Sequence, residues 1–408
     1  MKVIHLVFSS AGGASAAARR SVLALRMSGV QAELWTGDGS AFGPALSTPS
    51  RMRWRARLDR LKLRLYPRRR IFAAWSSNWL PSNLAPRINS ARPDLVHLHW
   101  LGHGFLSLTE LERIAAPMVW TMHDAWAFTG GCHCPAECVR YRQDCGACPQ
   151  LGSMHENDLS RRNLKMKRAH LGRVAAWISP SQWLAEMARE SGTIEPARVH
   201  VIPNAVDGDV FCPRERMAAR RMLGLPEEAT LLVAGAMDLS EPHKGCQLLP
   251  EAMAHVVAGW PRPIVLAMFG DNKNGKDESW PCPIHWLGRL QTEQEVAAVL
   301  GAADVCLLPS LQDNLPNIAV EAQACGCPVV GFDAGGLKEI IEPGHTGWLA
   351  ESLQAKDLGQ AVLHWLRTTP ATDVVQVRCR DQYLSKFTPA VHGQELGRLY
   401  DKLLSTGR

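Results

Sequence analysis

Asp313 and Glu321 stand eight positions apart, with Asn314-Leu315-Pro316-Asn317 opening the interval between them. That stretch reads as a helix entry, because proline has no N–H to leave unsatisfied there and its fixed φ suits the first turn. Backbone N–H groups around Leu315 to Ile318, with the helix dipole behind them, make an anion site. A carboxylate is out of place beside a lone anion, but an ionised carboxylate is a pure acceptor that can grip a diol. A phosphate together with diols describes a nucleotide sugar. Lys244, in His243-Lys244-Gly245 ahead of a helix from Cys246 to Val257, sets an ammonium where a departing diphosphate would need one. His123 closes an apolar run, Val119-Trp120-Thr121-Met122, and His99 closes a similar one from Leu95, so both suit a ligand-facing strand end. Taken singly, Glu321 would be a solvated helix acid, Lys244 a solvated loop lysine and His123 a core histidine bonded to a neighbouring strand.

The elements that must position these groups follow from apolar runs and their punctuation. Val305 to Leu308 reads as a buried strand closed by Pro309 and Ser310, followed by a helix to about Cys325 that Gly326 ends. Pro328 to Phe332 is the next strand, Asp333-Ala334-Gly335-Gly336 a loop, and Leu337 to Ile341 a short helix. In a parallel open sheet both loops leave the carboxyl ends of their strands and fall on the edge where ligands bind. Val3 to Phe8 reads as the first strand, and Ser9 to Ser15 as a glycine-permitted loop ahead of an alanine-rich helix. No G-x-G-x-x-G is present there, so a dinucleotide fingerprint is unsupported. Leu231 to Gly235 starts a fresh strand and glycine loop, Ile264 to Gly270 another, and Asp271 to Ser279 reads as a loop.

At these residues the chain resembles family 4 of the retaining glycosyltransferases. That family carries two acids eight positions apart before a small-residue helix, then a Pro-Val-Val strand and a Gly-Gly loop. Here they are Asp313, Glu321, Pro328-Val329-Val330 and Gly335-Gly336. The family's first acid is usually Glu, so Asp313 reaches one methylene less far. Asp-Asn-Leu-Pro-Asn and Thr129-Gly130-Gly131-Cys132-His133 look like the exopolysaccharide, colanic-acid-type branch. The resemblance implies an α/β protein of GT-B fold: two Rossmann-like domains facing across an interdomain cleft, with a C-terminal helix returning to the N-terminal domain. The implied divisions are residues 1–203 for the acceptor, 204–386 for the nucleotide sugar, and 387–408 for the returning helix.

The implied chemistry is transfer of a sugar, with retention, from a UDP or GDP sugar to an acceptor hydroxyl, a lipid-linked or other glycan. Lys244 and the amides near Leu315, Pro316 and Asn317 would stabilise the departing diphosphate. Glu321 would hold the ribose, Asp313 the sugar, and His123 the sugar's far side. Gly12 and Gly13 would face the donor phosphates and the acceptor, and the backbone at Leu287 to Leu290, with Leu287 and Arg289 in it, would cradle the base. No catalytic cofactor is expected. Ala236 stands where the family carries an Arg, and His243 or Arg289 are candidates to replace its charge. The competing readings are a nucleotide-sugar epimerase or phosphorylase of the same fold, and a non-catalytic zinc-stabilised adaptor.

Composition bounds the rest. The 408 residues, 46% hydrophobic and 21% charged with net charge +6, suit a globular chain of two domains. No apolar run nears the ~20 residues of a membrane span. Val3 to Phe8 is too short for the core of a secretory signal, so a cytoplasmic protein is expected, peripheral on the inner face of the plasma membrane if the next segment serves that purpose. Arg51 to Arg70 is strongly basic, and Trp54, Leu58, Leu61 and Leu65 recur at helical spacing along it. Such a helix suits an anionic membrane surface, or else packs its apolar face on its own domain. Nucleic-acid binding is not expected, since no recognised module surrounds it. Five of the twelve cysteines cluster, and Cys132, Cys138, Cys145 and Cys148, with one C-x-x-C pair, can close a structural tetrahedral zinc site. Free thiols, disulfides or a redox pair are the alternatives.

Overall fold

A computed structural model describes residues 1–271, 279–369 and 371–406, so the loop expected at Asp271 to Ser279 lies, apart from its two ends, outside the described residues. The chain forms two compact units, Met1–Ala205 with Pro389–Arg408, and Val206–Thr388. Each unit is built on a six-stranded sheet in which every pairing is parallel. Parallel sheets are covered on both faces, and the central strands are accordingly short, mainly apolar runs, buried from end to end.

In the first unit the strands are β1 (Lys2–Val7), β2 (Gln31–Thr36), β3 (Leu95–Leu98), β4 (Met118–Thr121), β5 (Val174–Ser179) and β6 (Val199–Val201), in the order β2-β1-β3-β4-β5-β6. Side chains alternate between faces along a strand. Ile4, Leu6, Val96 and Leu98 therefore join one core, while Val3, Val7, Leu95 and Val119 join another beneath the helices Gly13–Met27 and Pro389–Thr406. The same alternation sends His5, His97, Thr121 and His123 toward the second face. The C-terminal helix does return to this unit. Tyr400 Oη lies 2.6 Å from His97 Nδ1, and His392 sits between Ser21 Oγ at 2.8 Å and the Pro203 carbonyl at 2.7 Å.

The second unit comprises β7 (Thr230–Asp238), β8 (Ile264–Asp271), β9 (Ile284–Gly288), β10 (Val305–Leu308), β11 (Val329–Phe332) and β12 (Gly347–Ala350), in the order β12-β11-β10-β7-β8-β9. The order reverses between β7 and β10, which makes that crevice the topological switch point. β7 does not break into a loop at Gly235, as the sequence suggests. It continues to Asp238, and Gly235 is small because the Phe269 ring lies across it.

The basic segment forms the helix Pro49–Asp59 and a 3₁₀ turn Arg60–Leu65, entered through Thr48, whose hydroxyl accepts the Arg51 N–H. It docks on its unit, but not through the Trp54-Leu58-Leu61-Leu65 face. Met52 and Leu63 are the apolar side chains it buries, and polar anchors hold it beside them. Asp59 is buried and accepts the Ser77 N–H at 3.1 Å, and the Arg55 guanidinium donates to the carbonyls of Gly104, Pro81 and Leu80. Trp54 is left 59% exposed and Leu65 79%.

Candidate active site

The second unit assembles its site from three loops at the carboxyl ends of β7, β10 and β11. Lys244 Nζ donates to Asp313 Oδ2 at 2.6 Å, joining the loop after β7 to the loop after β10 across the switch point. Neither group is sealed off: the side chains are 27% and 19% exposed. Two glycines set this contact. Gly245 has φ +69°, and a Cβ on it would lie 1.8 Å from the Pro309 carbonyl oxygen. Gly335 has φ +62°, and a Cβ there would lie 1.8 Å from the Asp313 carbonyl oxygen, which accepts the Gly336 N–H at 3.1 Å. Only glycine tolerates such φ values without strain and also permits this approach. The Leu311 N–H donates to the His243 carbonyl at 2.8 Å, completing the lock between loops.

The helix that follows runs Asn317–Ala324, so Pro316 stands at its cap with extended backbone rather than as its first helical residue. Leu315 and Pro316 are buried and Asn317 half-buried. Pro316 has no amide to offer an anion, which leaves Leu315, Asn317 and Ile318 to supply that part of the expected site. Glu321 lies half-buried on the second turn. Its charge reaches the Cys306 and Cys325 thiols, which burial chiefly, then Cys327, and also Glu321 push up. Leu287 and Arg289 fall at the end of the edge strand β9, two strands away from β7, and Arg289 pairs with Asp271 at 3.4 Å. His243 is buried beside Glu241.

In the first unit His123 is one end of a chain of imidazoles. His123 Nε2 lies 2.9 Å from His99 Nδ1, and His99 Nε2 lies 2.9 Å from His5 Nδ1. His5 Nε2 is buried without a partner. Placing the His5 proton on Nδ1 leaves only a lone pair unpartnered. His99 then carries its proton on Nδ1 and donates to His123 Nε2, so the His123 proton sits on Nδ1. Burial keeps the chain neutral, holding His123 down at about 4 against the pull of Asp124 and His5 at about 3, and His99 well below its ordinary value. Gly12, with φ 110°, caps the helix Gly13–Met27 at the end of β1, in a loop held by Ser10 N–H donating to Asp38 at 2.7 Å.

Asp124 accepts three bonds: from Trp100 Nε1 at 2.7 Å, from His133 Nδ1 at 2.7 Å and from the Trp126 N–H at 2.8 Å. Burial raises its carboxyl, but His133 and these donors outweigh that and hold it below the usual range. His133 also reaches Ser76 Oγ at 3.0 Å, and with His99, His123 and Asp124 it lines a small cavity of about 10 Å³. Sequence reading named His133 only within the Thr129–His133 motif and missed its bond to Asp124, as it missed the partnership of His5 with His99. The signal for the histidines was available in the alternation of β1, β3 and β4; His133 had none, because its partner lies across an irregular loop. Asp207-Gly208-Asp209 has the spacing of a divalent-ion pair, so an expectation of metal-independent chemistry cannot rest on such a pair being missing. Here Asp207 Oδ1 accepts the Asp209 N–H at 2.9 Å and shapes a turn.

Two glycosyltransferase family models match the chain, one for most of each unit. Residues 11–210 match the family model described as Glycosyltransferase Family 4, and residues 228–368 the one described as Glycosyl transferases group 1. The D-inositol 3-phosphate glycosyltransferase of Stackebrandtia nassauensis is 34% identical over 197 residues, covering 44% of this chain and 43% of that protein. The enzyme of the same name from Mycobacterium tuberculosis (strain F11) is 28% identical over 281 residues, 67% of this chain and 54% of that one. The chain thus spans about half the length of the curated relatives it matches. Among solved structures, sucrose-phosphate synthase from Thermosynechococcus elongatus aligns over all of both chains with TM-score 0.69 and 18% identity. HepE of Anabaena, in complex with UDP and glucose, gives 0.68 and 17% over 98% of this chain and 100% of that one. WaaG, a glycosyltransferase involved in lipopolysaccharide biosynthesis, gives 0.66 and 16% over 98% and 99%. These likenesses establish the GT-B fold.

Proposed function

We propose that the chain is a retaining glycosyltransferase that binds a nucleoside-diphosphate sugar on the second unit and transfers the sugar to an acceptor hydroxyl. The observation that carries this reading is the Lys244–Asp313 pair at 2.6 Å, set at the switch point by Gly245 and Gly335. Lys244 supplies positive charge for the departing diphosphate, the kind of preorganised electrostatic term that usually dominates such sites. Asp313, released from Lys244 when the diphosphate takes over the ammonium, accepts from sugar hydroxyls. Glu321 accepts from the ribose, and amides at Leu315 and Asn317 meet the phosphates. In the resembling family both units serve one donor, so His123 addresses the sugar, donating from Nδ1 because His99 occupies its Nε2. Asp124 and His133 shape the wall beside it. No side chain on this route is a ready base for the acceptor proton, which fits a leaving phosphate oxygen taking it.

The relatives named for D-inositol 3-phosphate and the structural neighbours named for sucrose phosphate, UDP and lipopolysaccharide work leave two acceptor classes in view, a soluble phosphorylated polyol and a lipid-linked glycan. We favour the lipid-linked glycan, because the helix Pro49–Asp59 and the turn after it turn Trp54, Leu61 and Leu65 outward among exposed arginines. An apolar and cationic face suits an anionic lipid surface, which supports a peripheral position on the inner face of the membrane. Among the described residues no helix is long and apolar enough to cross one. The test is a panel of UDP and GDP sugars screened by thermal shift, the best binder then being supplied with membrane extract or with inositol phosphate. Sugar transfer to the lipid fraction is expected. Sugar processing with no acceptor present would favour an epimerase or phosphorylase, and no binding at all an adaptor.

A further inference from the structure

The transferase reading leaves the cysteine-rich loop unused. Cys132, Cys138, Cys145 and Cys148 line one small cavity of about 20 Å³, walled also by Trp75 and Gly130. Cys134, the fifth cysteine of the cluster, is not on its wall, and its carbonyl accepts from Gln150 Nε2 at 2.6 Å. The structure therefore selects four sulfurs out of five. All are free thiols, so no disulfide closes the loop.

Three further features prepare this cavity for negative sulfur. Backbone N–H groups of Leu151 and Gln150 lie near enough to Cys148, and that of Gly130 to Cys145, to favour a thiolate at each. A neutral thiol is a weak acceptor, whereas charge on the acceptor strengthens such bonds about twofold. The Cys145-Gly146-Ala147 turn that aims the C-x-x-C pair holds three successive residues at positive φ, 57°, 86° and 40°, two of them not glycine. Such a conformation is strained for a non-glycine residue and persists only when its surroundings demand it. Lys167 is buried beside Cys132 and Cys145, donating to the carbonyls of Trp126 and Thr129, with Nζ 3.8 Å from the centre of the Trp126 ring.

We propose that Cys132, Cys138, Cys145 and Cys148 bind one structural zinc ion as a tetrathiolate. Four thiolates and Zn²⁺ carry a net charge of −2, the four thiol protons leave to solvent on binding, and the Lys167 ammonium offsets part of the charge. Among the described residues, the group of metal-ligating side chains whose donor atoms already lie within 4.8 Å of one another is His5, His97 and His99. All of those nitrogens except His5 Nε2 are committed to each other or to Thr121, Tyr400 and His123. The cysteine sulfurs are not drawn so close, and zinc binding brings them in by side-chain rotation around the cavity they share. The metal pins Cys132, next to His133, against Trp75, and so braces the loop that carries Asp124.

The proposal stands apart from the transferase reading and is tested without an activity. The full chain, purified without added chelator, is assayed for metal by mass spectrometry, and zinc release is followed with a chromogenic chelator while an organomercurial consumes the thiols. About one zinc per chain is expected, released as four thiols react, with Cys138→Ser retaining under a tenth of that zinc and Cys134→Ser retaining all of it. A folded wild-type chain holding less than a tenth of a zinc ion overturns the proposal. So does a peptide map with these cysteines paired as disulfides, or equal zinc in the two variants.

Discussion

The Lys244 ammonium and the Asp313 carboxylate keep each other in place at 2.6 Å, and both remain partly open to solvent. A partly exposed ion pair contributes only ~0–1 kcal/mol, so exchanging one partner for a diphosphate is cheap. Position, rather than stability, is what the pair supplies. The buried imidazoles behave differently. His5 is held at about 3, His123 and His392 at about 4, and His97 and His99 well below the ordinary value, burial being the main cause in each. In the unfolded chain all of them titrate near 6.5. Their folded values are depressed, so above that pH their contribution to stability is complete. As pH falls below ~6.5 the unfolded chain takes up protons that the folded chain refuses, and stability is lost toward pH 4 by up to ~1.4 kcal/mol per pH unit per histidine. Calorimetric Tm should therefore fall steeply between pH 6.5 and 5, above the range where most carboxylates titrate, and His99→Gln should flatten the slope. A Tm unchanged across that window would contradict the neutral histidine chain.

At the scale of elements, the helix Pro49–Asp59 and its 3₁₀ extension present a cationic and apolar outer face, because Arg55, Asp59, Met52 and Leu63 fasten it to its unit and Trp54, Leu61 and Leu65 do not. The full chain should cosediment with vesicles containing anionic lipid and not with neutral ones, and Trp54→Ser with Leu65→Ser should reduce the bound fraction severalfold. Equal binding to both vesicle types would rule the surface out. Periodicity located this helix and its Trp54-Leu61-Leu65 face but left open whether that face packs on its own unit, and it does not. The backbone carbonyls and amides that hold Arg55 and Asp59 come from residues 77–104, and no local pattern announces them. The strands around the site were legible because parallel strands buried on both sides must be continuous apolar runs. The start of the helix at Asn317 was misread by a residue or so, since Pro316 fits either a first turn or a cap. Asp313 and Glu321 were legible as a spaced pair. The Asp313–Lys244 contact was not, because it spans 69 positions and depends on how Gly335 and Gly245 let three loops meet.

For the whole molecule, the two sheets are the same solution used twice, and in each the groups that could do chemistry gather at the carboxyl ends of strands beside the reversal of strand order. Histidines and a capped aspartate occupy that edge in the first unit, and a lysine, two acids and a glycine loop occupy it in the second. The C-terminal helix joins the first unit through Tyr400 and His392, so truncating it would expose the buried His97. The claim on which the rest depends is that the second unit holds a nucleoside diphosphate at Lys244. Isothermal titration of UDP and of GDP into the full chain tests it most directly. One of the two should bind at about one site per chain, and Lys244→Ala should bind it roughly 10–100-fold more weakly, the loss expected for one charge-assisted contact of ~1.5–3 kcal/mol. Absence of binding by either nucleotide, or equal affinity in the variant, would contradict the account.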